Sequence, residues 1–130
     1  MNRGKEKYDA RYWQFAEYDR DFEIMTDKIT FDELTVSIHR SDGREISNFR
    51  WDEVYAISAY KIDAKTREIT YLTFDFSNGE FVEVFDQMEG WESLVATLNI
   101  YLNAISANVL QSIKGLRPSD SPLVLFQKKL

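Results

Sequence analysis

Residues 49–102 read FRWDEVYAISAYKIDAKTREITYLTFDFSNGEFVEVFDQMEGWESLVATLNIYL. Apolar positions alternate with period two through most of this stretch and switch to a period near 3.6 just after Gly90, so it reads as three antiparallel strands followed by an amphipathic helix. In the first strand Val54, Ala56, Ser58, Tyr60 and Ile62 share one face, and Tyr55, Ile57, Ala59 and Lys61 share the other. The second strand sets Leu72, Phe74 and Phe76 on one face, and the third sets Phe81 and Phe85 against Val82 and Val84. All three are rich in β-branched and aromatic residues, which suit a pleated, half-buried surface. Ser77-Asn78-Gly79 supplies the turn between the second and third strands, because Asn and Gly both tolerate positive φ. Asp63 to Glu68 reads as a longer polar loop between two core strands, with a Lys61–Asp63 pair pinning its start.

Upstream of this stretch the pattern is also β. Phe22 and Ile24, then Ile29 and Phe31, then Leu34, Val36 and Ile38 alternate with polar residues. Ser41-Asp42-Gly43 closes a hairpin into residues 44–49. Residues 5–20, KEKYDARYWQFAEYDR, place Tyr8, Tyr12, Phe15 and Ala16 at near-helical spacing with Trp13 and Tyr18 off that stripe. Such a segment reads as a short helix or arm that docks on the domain, or else as a partner-binding patch built on Tyr12, Trp13 and Phe15.

Downstream, Trp91, Leu94, Val95, Leu98, Leu102, Ile105, Val109 and Ile113 follow helical spacing, and Gly115 and Pro118 end the run. One helix over residues 90–114 fits this pattern, as do two with a break near Asn99 or Asn103. The tail, residues 115–130, carries the apolar run Leu123-Val124-Leu125-Phe126, either a last strand or a docked segment. The expected fold is thus a single α+β domain spanning residues 1–130. It consists of a strongly bent antiparallel sheet or roll of six to seven strands over residues 22–86, with a C-terminal helix packed across it.

The chain has 130 residues, 44% of them hydrophobic and 15% aromatic, enough for one folded core without staples. It has no cysteine, which removes disulfides, thiolate metal sites and a cysteine nucleophile. The basic start is followed by a charged stretch instead of an apolar signal core, and no run of apolar residues is long enough to span a bilayer, so a cytoplasmic location is expected.

Net charge is −6, unevenly spread. Between Asp75 and Glu92 there are six acids, Asp75, Glu80, Glu83, Asp86, Glu89 and Glu92, and no Lys or Arg. Nucleic acid or an anionic membrane would be repelled by such a surface, while a basic protein would be attracted. The same acids can also serve as a solvated face that keeps the chain soluble.

Chemistry has few footholds. His39 is the only histidine and, with Thr35 and Ser37, falls on the polar face of a strand. No nucleophile elbow, phosphate loop or dinucleotide motif occurs, and no cofactor is expected. The acids from Glu80 to Glu92 recur every third residue, but they straddle a strand, a turn and a helix start, so that spacing does not gather them. A pair such as Glu83 with Asp75 on the adjacent strand could act as an acid–base couple, and a hard-cation site is the other option for such oxygens. Trp51 reads as a core anchor at the mouth of the sheet.

The series Phe49-Arg50-Trp51-Asp52-Glu53-Val54, Ala59-Tyr60-Lys61-Ile62-Asp63, Val82-Glu83-Val84 and Gly90-Trp91-Glu92-Ser93-Leu94 resembles a family of small uncharacterised bacterial proteins. That family has an I-x-W-x-D-V strand opening, an A-Y-K-x-D strand end, a V-E-V strand and a G-W-x-x-L helix entry. The likeness covers residues 46–102; Phe49 stands where the family has an aliphatic residue, and the extension past Leu102 is longer. A Trp opening a central strand and a helix after the last one are similar to pleckstrin-homology-like domains. Small acidic α+β bacterial proteins also resemble immunity proteins, which neutralise toxins. That resemblance implies a non-enzymatic protein binding a basic toxin domain; an interaction module in a larger bacterial assembly and a small carboxylate-dependent enzyme are the alternatives.

Overall fold

The computed structural model describes residues 27–102, 105 and 107–128. Among the described residues, seven strands form two antiparallel sheets. The first holds β1 (Lys28–Phe31), β2 (Thr35–His39) and β3 (Glu45–Arg50) in the order β1-β2-β3. The second holds β4 (Val54–Ala64), β5 (Arg67–Phe76), β6 (Phe81–Phe85) and β7 (Leu123–Gln127) in the order β6-β5-β4-β7. A single 3-10 turn, Trp51–Glu53, carries the chain from one sheet to the other. Helices α1 (Trp91–Tyr101) and α2 (Val109–Lys114) lie between β6 and β7 in the chain. The α+β class agrees with the sequence reading, but the described strands form two open sheets and not one bent sheet or roll, because the chain changes sheet at Trp51–Glu53, and β7 comes from the tail beyond residue 86; the aromatic segment with Tyr12, Trp13 and Phe15, and Phe22 and Ile24, lie outside the described residues.

Long-range pairing alters several local expectations. A register shift between Val54 and Ala56 makes Tyr55 the extra residue of a bulge. Val54 thereby joins Ile57 and Ala59 on the inner face, all three completely buried, instead of sharing a face with Ser58 and Tyr60. The expected polar loop from Asp63 to Glu68 is mostly strand: Asp63 pairs with Glu68 and Ala64 with Arg67, leaving Lys65 and Thr66 as the turn. Lys61 Nζ lies 3.8 Å from Glu68, across the hairpin, and not on Asp63 as expected.

Leu34, expected in a half-buried strand, is 57% exposed. Asp32 explains this: its Oδ1 accepts the backbone N–H groups of Leu34 and Thr35, both at 2.8 Å, and so holds the chain in a turn where a strand residue was expected. The helical run is two helices, interrupted between Tyr101 and Val109. Neither is C-terminal, because the apolar run after Pro122 returns as β7 to hydrogen-bond with β4.

The core lies between the two sheets and beneath the helices. Phe49 of the first sheet meets Phe74 and Phe76 of the second at ring distances of 5.0 and 5.2 Å. Leu94, Val95 and Leu98 of α1 are fully buried; each such side chain contributes roughly 1.5–3 kcal/mol by leaving water. Gly90 sets the entry of α1 with φ of 94°, and Ile29 N–H donates to the Glu89 carbonyl at 2.8 Å beside it. The loop between β6 and α1 is thereby tied to β1, an edge strand of the other sheet. None of the described helices is long and apolar enough to cross a membrane.

Candidate functional site

The corner where the chain passes between sheets opens into a cleft of about 580 Å³. Its walls come from the end of β3, the 3-10 turn, the start of β4, the β5–β6 turn and Lys128. Aromatic surface from Tyr55 and Phe76 is exposed there beside the carboxylates of Asp52, Glu53 and Glu80.

Each carboxylate is placed by local geometry. Glu53 Oε1 accepts the backbone N–H of Arg50 at 2.9 Å, closing the start of the 3-10 turn. Arg50 grips Asp52 in a two-pronged bond, Nε to Oδ1 at 3.1 Å and Nη2 to Oδ2 at 2.8 Å. That hydrogen bond holds the Asp52 carboxyl below the usual carboxylate range and raises the Arg50 guanidinium above its ordinary value. Glu80 sits on the β5–β6 turn, where Asn78 Oδ1 accepts its backbone N–H at 3.0 Å and Gly79 takes a φ of 91°. Lys128 is tethered at the opposite wall, its Nζ donating to the Asp52 carbonyl at 3.0 Å and its N–H to the Tyr55 carbonyl at 2.7 Å. Three acids and one amine therefore line an open, partly aromatic surface, which favours a cation-bearing ligand.

The six acids singled out in the sequence are distributed over the molecule. Glu80 is on the cleft rim. Asp75 and Glu83 stand on the outer face of the second sheet, on adjacent strands, diagonal to one another in the register Thr73–Glu83 and Asp75–Phe81. Glu83 Oε2 accepts the Tyr60 hydroxyl at 2.6 Å and the Thr73 hydroxyl at 2.8 Å, an arrangement that fixes a carboxylate in place. Asp86 directly follows β6, and its Oδ2 accepts the Thr70 N–H at 3.3 Å. Glu89 faces Lys28 at 3.8 Å and Glu92 faces Lys114 at 3.7 Å. The charge run is thus partly neutralised by cations distant in sequence, at exposed pairs worth little energy.

Asp52 and Glu53, which complete the cleft, were not among the sequence candidates. Their signal was present in the strand order: pairing of Val54 with Phe76 necessarily brings residues 52–53 beside the turn that carries Glu80. His39 falls where expected, on the partly exposed side of β2, with Nε2 3.2 Å from Thr30 Oγ1. Among the described residues no group of three or more His, Asp or Glu side chains is arranged to hold a metal ion. No family model, curated protein or solved structure matches the chain.

Proposed function

We propose that this protein is a non-enzymatic binding protein that occludes a basic surface on another protein, its most concrete form being a cytoplasmic bacterial immunity protein against a basic toxin domain. The convergence of Asp52, Glu53 and Glu80 on one aromatic-floored cleft supports this reading. Aromatic area gives contact energy at small entropic cost, while fixed carboxylates around it select for Lys and Arg. The absence of cysteine is compatible with a reducing compartment. The two sheets, of three and four antiparallel strands, are read as a divergent pleckstrin-homology-like roll in which the last strand follows the helices.

The test is co-expression with the polypeptide encoded beside it. Wild type should relieve growth arrest caused by that polypeptide and form a stable complex with it. Glu53→Lys with Glu80→Lys should abolish both while the variant melts like wild type. Rescue that survives this double reversal would remove the cleft from the function.

A further inference from the structure

Strand β7 ends the second sheet beside β4, and among the described strands none pairs with its other side. One bond fixes how its backbone is turned. Lys128 N–H donates to the Tyr55 carbonyl at 2.7 Å, so the alternation of an antiparallel strand turns Phe126 toward β4 as well and leaves the N–H and C=O of Gln127 on the open side. Val124, on the same strand, is 63% exposed.

An open edge is a template for another strand, and charge on the edge is a common way to blunt it. The other edge strands carry such charge: Lys28 in β1, Glu45 and Arg50 in β3, Glu83 in β6. β7 reads Leu-Val-Leu-Phe-Gln and carries none. Leu125 is skipped in its register with β4, which twists the strand and keeps any added pairing short.

A second copy of this chain matches that edge by symmetry, because a two-fold axis sets one strand antiparallel to itself. With the axis at Val124, that residue meets Val124 of the second copy, so the exposed valines cover each other. Gln127, with its open N–H and C=O, comes opposite Ser121. Pro122 comes opposite Phe126, whose backbone is already turned to β4, so the N–H that proline lacks is not called for. Asp120 comes level with Lys128 of the second copy, which places opposite charges together at both ends of the pairing. Moving the axis by one residue either way leaves Asp120 level with Phe126 or Leu130, and the charge match is lost.

We propose that β7 pairs with β7 of a second copy of this chain, antiparallel about a two-fold axis at Val124, joining two four-stranded sheets edge to edge. Lys128 stands on the wall of the acidic cleft, so Asp120 of the second copy adds a carboxylate beside it. The two Lys128 residues lie eight strand positions apart, roughly 26 Å at about 3.3 Å per residue. Each dimer therefore presents two clefts, and the pairing itself is independent of what those clefts bind.

Two measurements test this. The chain has no cysteine, so Val124→Cys puts a single thiol into the intact protein. Opposed residues of an antiparallel pair bring their Cα atoms to about 4.5–5.5 Å, within disulfide reach. Mild oxidation should link Val124→Cys into a dimer several-fold faster than Ile46→Cys on β3 or Ile100→Cys on α1, at positions 46% and 63% exposed. Second, equilibrium sedimentation of wild type should show a dimer fraction that rises with concentration up to about 1 mM. Val124→Lys sets two amines face to face and should weaken association several-fold with melting unchanged. A wild type that stays monomeric throughout, thiols at 46 or 100 that link as fast as the one at 124, or undiminished association of Val124→Lys would overturn the proposal.

Discussion

The indole N–H of Trp51 donates to the backbone carbonyl of Asp32 at 2.8 Å across 19 positions of sequence. This bond joins the turn of the first hairpin to the corner between sheets, and the same ring packs on Tyr101 and Phe74 at 5.2 and 6.4 Å. Trp51→Phe should cost about 1–2 kcal/mol, the lost hydrogen bond plus some area. Trp51→Ala should cost about 3–5 kcal/mol, as large-to-small core changes do. Urea unfolding of both variants checks this, and a phenylalanine variant as stable as wild type would show that the bond is energetically idle.

Acid should weaken the same hairpin. Backbone N–H groups of Thr35 and Leu34 hold the Asp32 carboxyl below its usual range. A carboxyl lowered in the folded state contributes stability that is present above its unfolded value, about 3.9, and is lost as pH falls through the folded value. Asp32→Ala should therefore melt below wild type at neutral pH, with the gap closing toward pH of about 2. Asp27 has the opposite sign, since burial pushes its carboxyl up; Asp27→Asn should gain relative to wild type as pH rises past the usual aspartate range. Melts of the three proteins across pH read both effects, and a pH-independent gap for Asp32→Ala would contradict the first.

Glycine substitutions should separate by what surrounds them. Gly43, Gly79 and Gly90 all have φ near 90°, at 91, 91 and 94°. A Cβ at Gly43 or Gly79 meets nothing, so alanine there should cost only the left-handed backbone penalty, about 1–2 kcal/mol. At Gly90 a Cβ would fall inside contact distance of the Ile29 carbonyl oxygen, which is held by backbone bonding between Asp27, Ile29 and Glu89. Gly90→Ala should cost several kcal/mol more than Gly79→Ala, or fail to fold. Similar melting temperatures for the two would refute the close approach.

Glu83 serves as a common acceptor for Tyr60 and Thr73. Glu83→Ala leaves the buried Thr73 hydroxyl short of a partner and should cost about 1–3 kcal/mol. Tyr60→Phe removes one donor and should cost less, about 1 kcal/mol. Denaturant midpoints order these variants; if Tyr60→Phe proved the more damaging, the carboxylate would not be the hub.

Partner association through the cleft should depend on salt. Raising ionic strength from 0.01 to 0.15 M shortens the Debye length from about 30 to about 8 Å, and the on-rate should fall steeply while dissociation changes little. Glu53→Lys with Glu80→Lys should lower the on-rate by about tenfold or more at low salt. Stopped-flow binding at both ionic strengths provides the measurement; a salt-independent on-rate would reduce the acids to solubilising charge.

Local chemistry alone determined much of this protein. Asp42-Gly43 and Asn78-Gly79 place two hairpin turns, alternation from Val54 to Phe85 gives three strands, and the spacing from Trp91 to Ile113 gives the helical region. These features were legible because turn residues and side-chain periodicity act over a few positions. Tertiary structure decided the rest. The bulge at Tyr55 moves Val54 inward because β5 supplies the register. Leu34 is left in water because Asp32 captures its N–H. The run after Pro122 becomes strand because β4 offers it an edge, and Asp52 and Glu53 meet Glu80 only once β4 pairs with β5. In each case the deciding partner is remote in sequence. Backbone hydrogen bonding and burial are satisfied over the whole chain, so no short window contains the preference that wins.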